Sequence, residues 1–227
     1  MRLPHWTILL SMLSACTAIP PGTQRIRRLN LETPVPESLL AAWAFNEAVH
    51  IRTDWRGRPL PGDVDTAVSI YRTRTHLLVA FESRFQRLNL HPGGHEGEIE
   101  DLYEYDVVEF FVDPDPATPQ TYLEFELDPG GRTLDLRIDR AADVFDATFD
   151  SSMTSAVSVD PSTHTWRALM MIPFGPELEW PSEGAVWRGN FFRIEGAGED
   201  RLYMALSPTG TASPSFHVPE AFIDLTF

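Results

Sequence analysis

Residues 122–139 carry the pattern that decides the fold: Tyr-Leu-Glu-Phe-Glu-Leu-Asp-Pro-Gly-Gly-Arg-Thr-Leu-Asp-Leu-Arg-Ile-Asp. Apolar and polar residues alternate on both sides of a central Pro-Gly-Gly turn. A period of two is the spacing of one face of a β-strand, and a glycine-rich turn between two such runs is typical of an antiparallel hairpin. We therefore predict two antiparallel strands, each with one apolar face and one polar, solvated face.

Short strand-like runs also occur on both sides of this hairpin. They lie at residues 68–71, 76–81, 107–112, 156–159, 166–172, 187–194, 202–206 and 221–227. Residues 39–49 are the one segment that reads as a short helix, with an edge strand as the alternative. About ten short strands separated by turn residues, with almost no helix, predict an all-β, antiparallel β-sandwich.

The N-terminus resembles an export signal. Arg2 precedes an apolar run at residues 6–13, which is typical of a secretory signal peptide and too short to span a membrane. Residues 13–16, Leu-Ser-Ala-Cys, resemble the lipobox of bacterial lipoproteins. The resemblance implies cleavage before Cys16, acylation of Cys16 and lipid anchoring in the bacterial cell envelope. A plain signal peptide followed by an unpaired cysteine is the alternative.

The predicted organisation is one domain behind a tether. Residues 1–15 are the predicted signal peptide, residues 16–36 a polar, proline-containing tether, and residues 37–227 a single β-sandwich. Cys16 is the only cysteine, so no internal disulfide forms.

The charge of the chain excludes one class of partner. The formal net charge is -15, and the chain contains 18 basic residues, all of them arginine. An acidic surface repels the phosphate backbone, so we do not expect nucleic acid to bind. It also repels anionic headgroups, so membrane attachment requires an anchor other than basic charge.

One buried carboxylate is predicted in the run 103–114, Tyr-Glu-Tyr-Asp-Val-Val-Glu-Phe-Phe-Val-Asp-Pro. In a strand, Glu109 shares a face with Val107 and Phe111. Burying a carboxylate between apolar neighbours costs free energy unless it meets a partner or a ligand. Two readings follow: an arginine such as Arg137 or Arg193 pairs with Glu109, or Glu109 contacts a ligand.

This run resembles the aromatic-Glu-x-Asp-x-Val-Glu block of family 9 carbohydrate-binding modules and the related DOMON-like sandwiches. Further segments follow in the order of that family: Trp43, residues 66–71 with 77–81, 122–125, Trp166 with 172–173, 187–193, and the ending 217–222. The resemblance covers residues 39–227. It implies a β-sandwich that holds a sugar, as a chain end, between two aromatic side chains, without catalysis.

Carried over by position, the aromatic clamp falls on Tyr103 and Phe216, and the polar contacts on Glu109, Glu126 and Arg193. Aromatic faces stack on the C–H faces of pyranose rings, while carboxylates and guanidinium groups bind hydroxyls. Both clamp positions depart from the tryptophans of well-studied family members.

No cofactor is predicted. The family's structural calcium remains an alternative, although its Asp-Gly turn is replaced by Leu-Leu-Ala-Ala before Trp43. Two other segments hold potential metal ligands, His91 to Glu98 with His95 and Glu96, and Asp113 with Asp115. Their Pro and Gly residues favour a solvated loop and a turn, so no metal site is predicted there.

Three other functions stay open. Glu109 and Glu126 on neighbouring strands could form the carboxylate pair of a glycoside hydrolase. His217 with Met204 or Met171 could be axial ligands of a haem, as in cytochrome domains of the wider superfamily. The domain could also bridge proteins at the envelope.

Overall fold

The computed structural model describes residues 22–31, 35–93, 98–117 and 120–227. The predicted signal peptide, Cys16, His95 and Glu96 lie outside the described residues. Within the described ranges, no helix is both long and apolar enough to cross a membrane.

The described residues form one α-helix, three 3-10 turns and fifteen strands. The helix α1 is Pro36–Ala42 and the 3-10 turns are Leu102–Glu104, Gly198–Asp200 and Pro219–Ala221. The strands are β1 (Thr23–Arg25), β2 (Arg27–Arg28), β3 (Val49–Ile51), β4 (Thr53–Asp54), β5 (Thr66–Arg72), β6 (His76–Arg84), β7 (Val107–Asp113), β8 (Thr121–Leu127), β9 (Thr133–Asp139), β10 (Val144–Asp146), β11 (Thr154–Asp160), β12 (Thr165–Pro173), β13 (Val186–Glu195), β14 (Leu202–Ala205) and β15 (Ile223–Thr226).

The strands form two sheets that pack face to face, which confirms the predicted β-sandwich. One sheet has the order β1-β15-β13-β7-β8-β9-β10, with β14 also paired to β13 and β4 to β14. The other has the order β11-β12-β6-β5-β2, with β3 also paired to β5. Neighbouring strands are antiparallel except for β1 with β15 and β2 with β5, which are parallel.

The predicted tether is wrong for residues 23–28, because β1 and β2 join one sheet each. Ile26, between these strands, is buried in the core, and its backbone N–H donates to the Thr226 carbonyl oxygen at 2.7 Å. A single apolar residue among the arginines of this segment has no visible period, so the sequence pattern did not reveal two strands of three and two residues. The described strands therefore begin at Thr23 and not after residue 36.

Apolar clusters cover both faces of both sheets. The main core lies between the sheets, where the Phe81 and Phe191 rings meet at 6.3 Å across the interface. A second cluster lies on the outer face of the nine-stranded sheet and contains Phe111 and Phe192. A third, with Leu40 of α1, covers the outer face of the six-stranded sheet. The segment predicted at 39–49 is therefore resolved into the end of α1 and the start of β3.

The two strands of the hairpin at residues 122–139 do not share the polar, solvent-exposed face that the sequence predicted. On β8, Leu123, Phe125 and Leu127 belong to the core between the sheets. On β9, Leu134 belongs to the outer cluster instead, because the register pairs it with Glu126. The glutamates of β8 and the leucines of β9 thus share the outer face, where both are covered.

Candidate functional site

A cavity of about 520 Å³ opens on this outer face of the nine-stranded sheet. Its volume lies in the range of small-molecule sites. Strands β7, β8 and β9 form its floor, and β10, β14 and the segments around residues 103 and 216 form its walls. The lining residues are Glu100, Tyr103, Glu109, Glu124, Glu126, Leu134, Leu136, Phe145, Ala147, Ile194, Tyr203, Pro214, Ser215, Phe216 and His217.

Three glutamates form the floor of the cavity. Glu109 of β7 lies directly opposite Glu126 of β8 in the antiparallel register, and Glu124 is two residues before Glu126 on the same face. All three are buried, with exposed fractions of 2%, 1% and 3% respectively. One carboxylate oxygen from each residue lies within 4.8 Å of the corresponding oxygens of the other two. We call this set the glutamate cluster.

The glutamate cluster is electrostatically unbalanced. Burial, followed by repulsion from the neighbouring glutamates, raises the pKa of each of the three carboxyl groups well above its usual value. The charge of Arg201 acts in the opposite direction on the pKa of Glu109. Within the described residues, Oε2 of Glu124 and Oε2 of Glu126 are buried without any hydrogen-bond partner. The cluster therefore needs protons or a positively charged occupant.

Aromatic side chains form the walls. Tyr103 and Phe145 are 48% and 43% exposed, whereas Phe216 is buried and stacks on Phe192 with ring centroids 4.2 Å apart. Tyr203 meets the edge of Phe216 at 6.4 Å. Two half-exposed rings and one inner ring thus surround a space with a charged floor, which suits a ligand with apolar faces and polar edges.

His217 closes one side of the cavity. Its Nδ1 lies 3.0 Å from the Tyr122 hydroxyl and 3.8 Å from Oε2 of Glu124. The ring also packs on Phe111 and Phe145, at 5.2 and 5.0 Å. Burial, with a smaller contribution from the charge of Arg140, lowers the pKa of His217 to about 4. The imidazole is therefore neutral near pH 7 and does not balance the glutamates.

Arg201 holds the segment that carries Tyr103. Its guanidinium donates hydrogen bonds to the Tyr103 carbonyl oxygen and, at 2.9 Å, to Oε2 of Glu104. It also lies over the Tyr203 ring, 5.0 Å from the centroid. These contacts tie the 3-10 turn Leu102–Glu104 to the start of β14 and hold the Tyr103 backbone beside the cavity.

Four of the five predicted ligand contacts line this cavity: Tyr103, Glu109, Glu126 and Phe216. Their role in binding stays a prediction. The expectation for Arg193 is wrong, because its side chain points to the opposite side of the sheet. It is fully buried between the sheets, and Nη1 donates to Oγ1 of Thr66 at 2.9 Å while Nη2 lies 3.0 Å from Oε2 of Glu195.

The proposed arginine partners of Glu109 are engaged elsewhere. Arg193 pairs with Glu195, and Arg137 pairs with Asp146 at 2.9 Å and with Glu177 at 3.2 Å. Within the described ranges, Glu109 has no salt bridge. The interpretation of Glu109 as a ligand contact is therefore the one that the geometry supports.

The haem alternative does not fit the structure. His217 lies at the outer cavity, Met204 lies in the core between the sheets, and Met171 lies in the cluster under α1. The three side chains occupy three different layers of the sandwich. Neither methionine can therefore share an iron with His217 in this fold.

Sequence reasoning missed Glu124, Phe145, Tyr203 and His217 as lining residues of the predicted sugar site. Glu124 could have been found, because it has the same strand parity as Glu126 and must share its face. Phe145 offered only a weak signal, an aromatic residue within a polar stretch. Tyr203 and His217 are brought to the cavity by strand pairing and by a long loop, which no local pattern encodes.

Comparisons with solved structures agree with this fold. The chain superimposes on a proposed carbohydrate-binding protein from Bacteroides uniformis with a TM-score of 0.69 at 20% identity, covering 90% of this chain and 98% of that one. It also matches a family 9 carbohydrate-binding module from Caldicellulosiruptor kristjanssonii. In complex with cellotriose this module gives a TM-score of 0.63 at 14% identity, covering 89% and 93% of the two chains. In complex with glucose the TM-score is 0.59, at 14% identity and 89% and 95% coverage. The chain thus has a fold like that of family 9 carbohydrate-binding modules.

Two curated relatives match part of the chain in sequence. The chain is 31% identical over 144 residues to an "Extracellular protein" from Arthroderma benhamiae, covering 56% of this chain and 63% of that protein. It is 30% identical over 144 residues to the "UPF0462 protein C4orf33 homolog" from Rattus norvegicus, covering 60% and 66%. The matches therefore span less than two thirds of these relatives. No protein-family model matches the chain.

Proposed function

We propose that the cavity on the outer face of the nine-stranded sheet binds a carbohydrate and that the protein acts as a non-catalytic binding module. One observation carries the proposal: half-exposed aromatic rings, Tyr103 and Phe145, flank a cavity whose floor is made of carboxyl groups. Pyranoses have C–H-rich faces and a ring of hydroxyls, so they need stacking surfaces and hydrogen-bond acceptors together. The binding of cellotriose and glucose by a module of the same fold supports this reading.

Titration of the purified protein with sugars tests this function. We expect isothermal titration calorimetry to show binding of a mono-, di- or trisaccharide, because the cavity volume suits a ligand of this size. Matched sugars with free and blocked reducing ends tell whether a chain end is recognised, as the sequence resemblance implies. A panel of hexoses, pentoses and their oligomers that gives no heat at millimolar concentration would contradict the proposal.

The proposed setting is the cell envelope. The lipobox-like residues 13–16 support export and lipid anchoring through Cys16, and the curated relative from Arthroderma benhamiae is called an extracellular protein. A tethered sugar-binding domain would hold a polysaccharide end near enzymes or protein partners that act at the same surface. We therefore propose a supporting role in polysaccharide breakdown.

Glycoside hydrolysis is the second candidate, because the oxygens of Glu109 and Glu126 lie within 4.8 Å of each other. Retaining glycosidases separate their two carboxyl groups by about 5–5.5 Å. However, those carboxyl groups flank the scissile bond, whereas all three glutamates here project from one sheet face. An occupant of the cavity meets them from one side, which favours binding over cleavage.

We therefore expect no turnover of chromogenic glycosides above that of the double variant Glu109→Gln/Glu126→Gln. Release of the chromophore by the wild-type protein alone, in proportion to its concentration, would show that the carboxyl pair is catalytic and overturn the non-enzymatic reading. The double variant is the matched control because it removes both acids while it keeps the size of both side chains.

A further inference from the structure

The glutamate cluster differs from every other buried acid of the described chain in what surrounds it. The six others all accept a hydrogen bond from a backbone N–H, and three of them also pair with an arginine: Asp54, Asp106, Asp113, Asp128, Asp135 and Glu195. Glu109, Glu124 and Glu126 accept no such bond within the described ranges. Elsewhere in the described structure each buried carboxyl group receives at least one backbone donor, whereas these three receive none.

The unpartnered oxygens are aimed at one another and at the cavity. Oε2 of Glu124 and Oε2 of Glu126 are buried and without a hydrogen-bond partner in the described structure. Leaving a buried carboxylate unpaired is among the most costly arrangements in a protein interior. A neutral pyranose brings no charge to these oxygens, whereas a small cation does.

The spacing of the oxygens matches a single metal ion. Calcium binds oxygen ligands at about 2.3–2.6 Å, so two oxygens on the same ion lie up to about 5 Å apart. The three carboxylate oxygens here all lie within 4.8 Å of one another. The donor set contains carboxylates alone, which suits a hard cation such as Ca²⁺ and not zinc, which prefers histidine and cysteine.

We propose that Glu109, Glu124 and Glu126 bind one divalent cation of the calcium class at the floor of the cavity, and that hydroxyls of the bound sugar complete its coordination. Calcium takes six to eight oxygen ligands, more than three glutamates supply, so the remaining positions face the open cavity. Vicinal hydroxyls of a pyranose are suitable oxygens. This second part rests on the proposed sugar-binding function, whereas the ion site does not.

Calorimetric titration of the chelator-treated protein with CaCl₂ tests the ion site. We expect the wild-type protein to bind one Ca²⁺ ion. The affinity for this ion should fall more than about tenfold in Glu126→Gln and in Glu124→Gln, because mutating even the residues that support metal ligands lowers metal affinity by roughly 10–100-fold. Glu199→Gln is the matched control: it removes an exposed carboxylate of the 3-10 turn Gly198–Asp200 that does not line the cavity. We expect it to bind Ca²⁺ like the wild type.

The variants are expected to fold, because the replaced carboxyl groups accept no hydrogen bond from a backbone N–H in the described structure and the glutamines keep their size. Thermal melting of each metal-free variant checks this. Calcium binding that is absent at millimolar concentration, or that is unchanged in Glu126→Gln, would overturn the ion site.

A second titration, of sugar into the protein with CaCl₂ or with EDTA, separates the two proposals. We expect the sugar affinity to fall more than about tenfold in EDTA, since the ion supplies part of the contact. Equal affinity in both buffers overturns the sugar-bridging ion and leaves the sugar-binding function intact. Cluster-dependent calcium binding without any sugar binding overturns the proposed function and leaves the ion site intact.

Discussion

Replacing Arg193 with methionine is expected to lower the free energy of unfolding by about 3–5 kcal/mol, the cost of breaking a buried ion pair. Arg193 is fully buried between the sheets and joins them: it lies on β13, and its guanidinium donates to Oγ1 of Thr66 and to the Val64 carbonyl oxygen beside β5. It also pairs with buried Glu195. The variant would leave that carboxylate without its cation. Urea unfolding followed by tryptophan fluorescence measures the loss.

Arg167→Met is the matched control for this measurement. Arg167 also lies on a strand and pairs with a glutamate, Glu82, at 2.5 Å, but both side chains are partly exposed to solvent. Exposed ion pairs contribute about 0–1 kcal/mol, so this substitution should cost far less. We also expect the folded Arg193→Met protein to bind sugar with unchanged affinity. Normal stability together with lost sugar binding would restore the sequence-based role of Arg193 as a ligand contact.

Much of the fold could be predicted from alternation in the sequence. Each of the ten segments predicted as strands overlaps a strand of the structure. Strands β1 to β4 and β10 were missed because each has only two or three residues, too few to show a period of two. The hairpin was located correctly, but the faces of its strands were not. Leucines of β9 alternate like a core strand, yet they line the outer cavity beside Glu124 and Glu126.

Site residues could be predicted where the sequence around them alternates clearly between the two faces of a strand. Glu109 lies between apolar neighbours on β7, so its burial followed from the sequence, and the resemblance added Tyr103, Glu126 and Phe216. The prediction that Arg193 contacts the ligand failed for a physical reason. Strand β13 is covered on both faces, with Phe191 in the core and Phe192 in the outer cluster, so its sequence shows no alternation that assigns a face.

Replacing Tyr103 or Phe145 with alanine is expected to weaken sugar binding by about 2 kcal/mol, roughly 30-fold, as for aromatic residues at the centre of a binding site. Both rings line the cavity and are about half exposed, so either can stack on a pyranose without first being released from the core. Calorimetry with the sugar that binds the wild-type protein measures the change. Trp180→Ala is the control, because Trp180 is equally exposed, at 44%, and does not line the cavity.

The Phe145→Ala variant tests which ring, Phe145 or Phe216, forms the second half of the aromatic clamp with Tyr103. The sequence resemblance pairs Tyr103 with Phe216, but Phe216 is only 7% exposed and one of its faces already stacks on Phe192. Truncation of Phe216 would therefore lower stability and affinity together, and the affinity alone could not be interpreted. Loss of binding in Tyr103→Ala with unchanged binding in Phe145→Ala would make Phe216 the second ring. Unchanged binding in both would contradict the proposal that these two rings stack on the sugar.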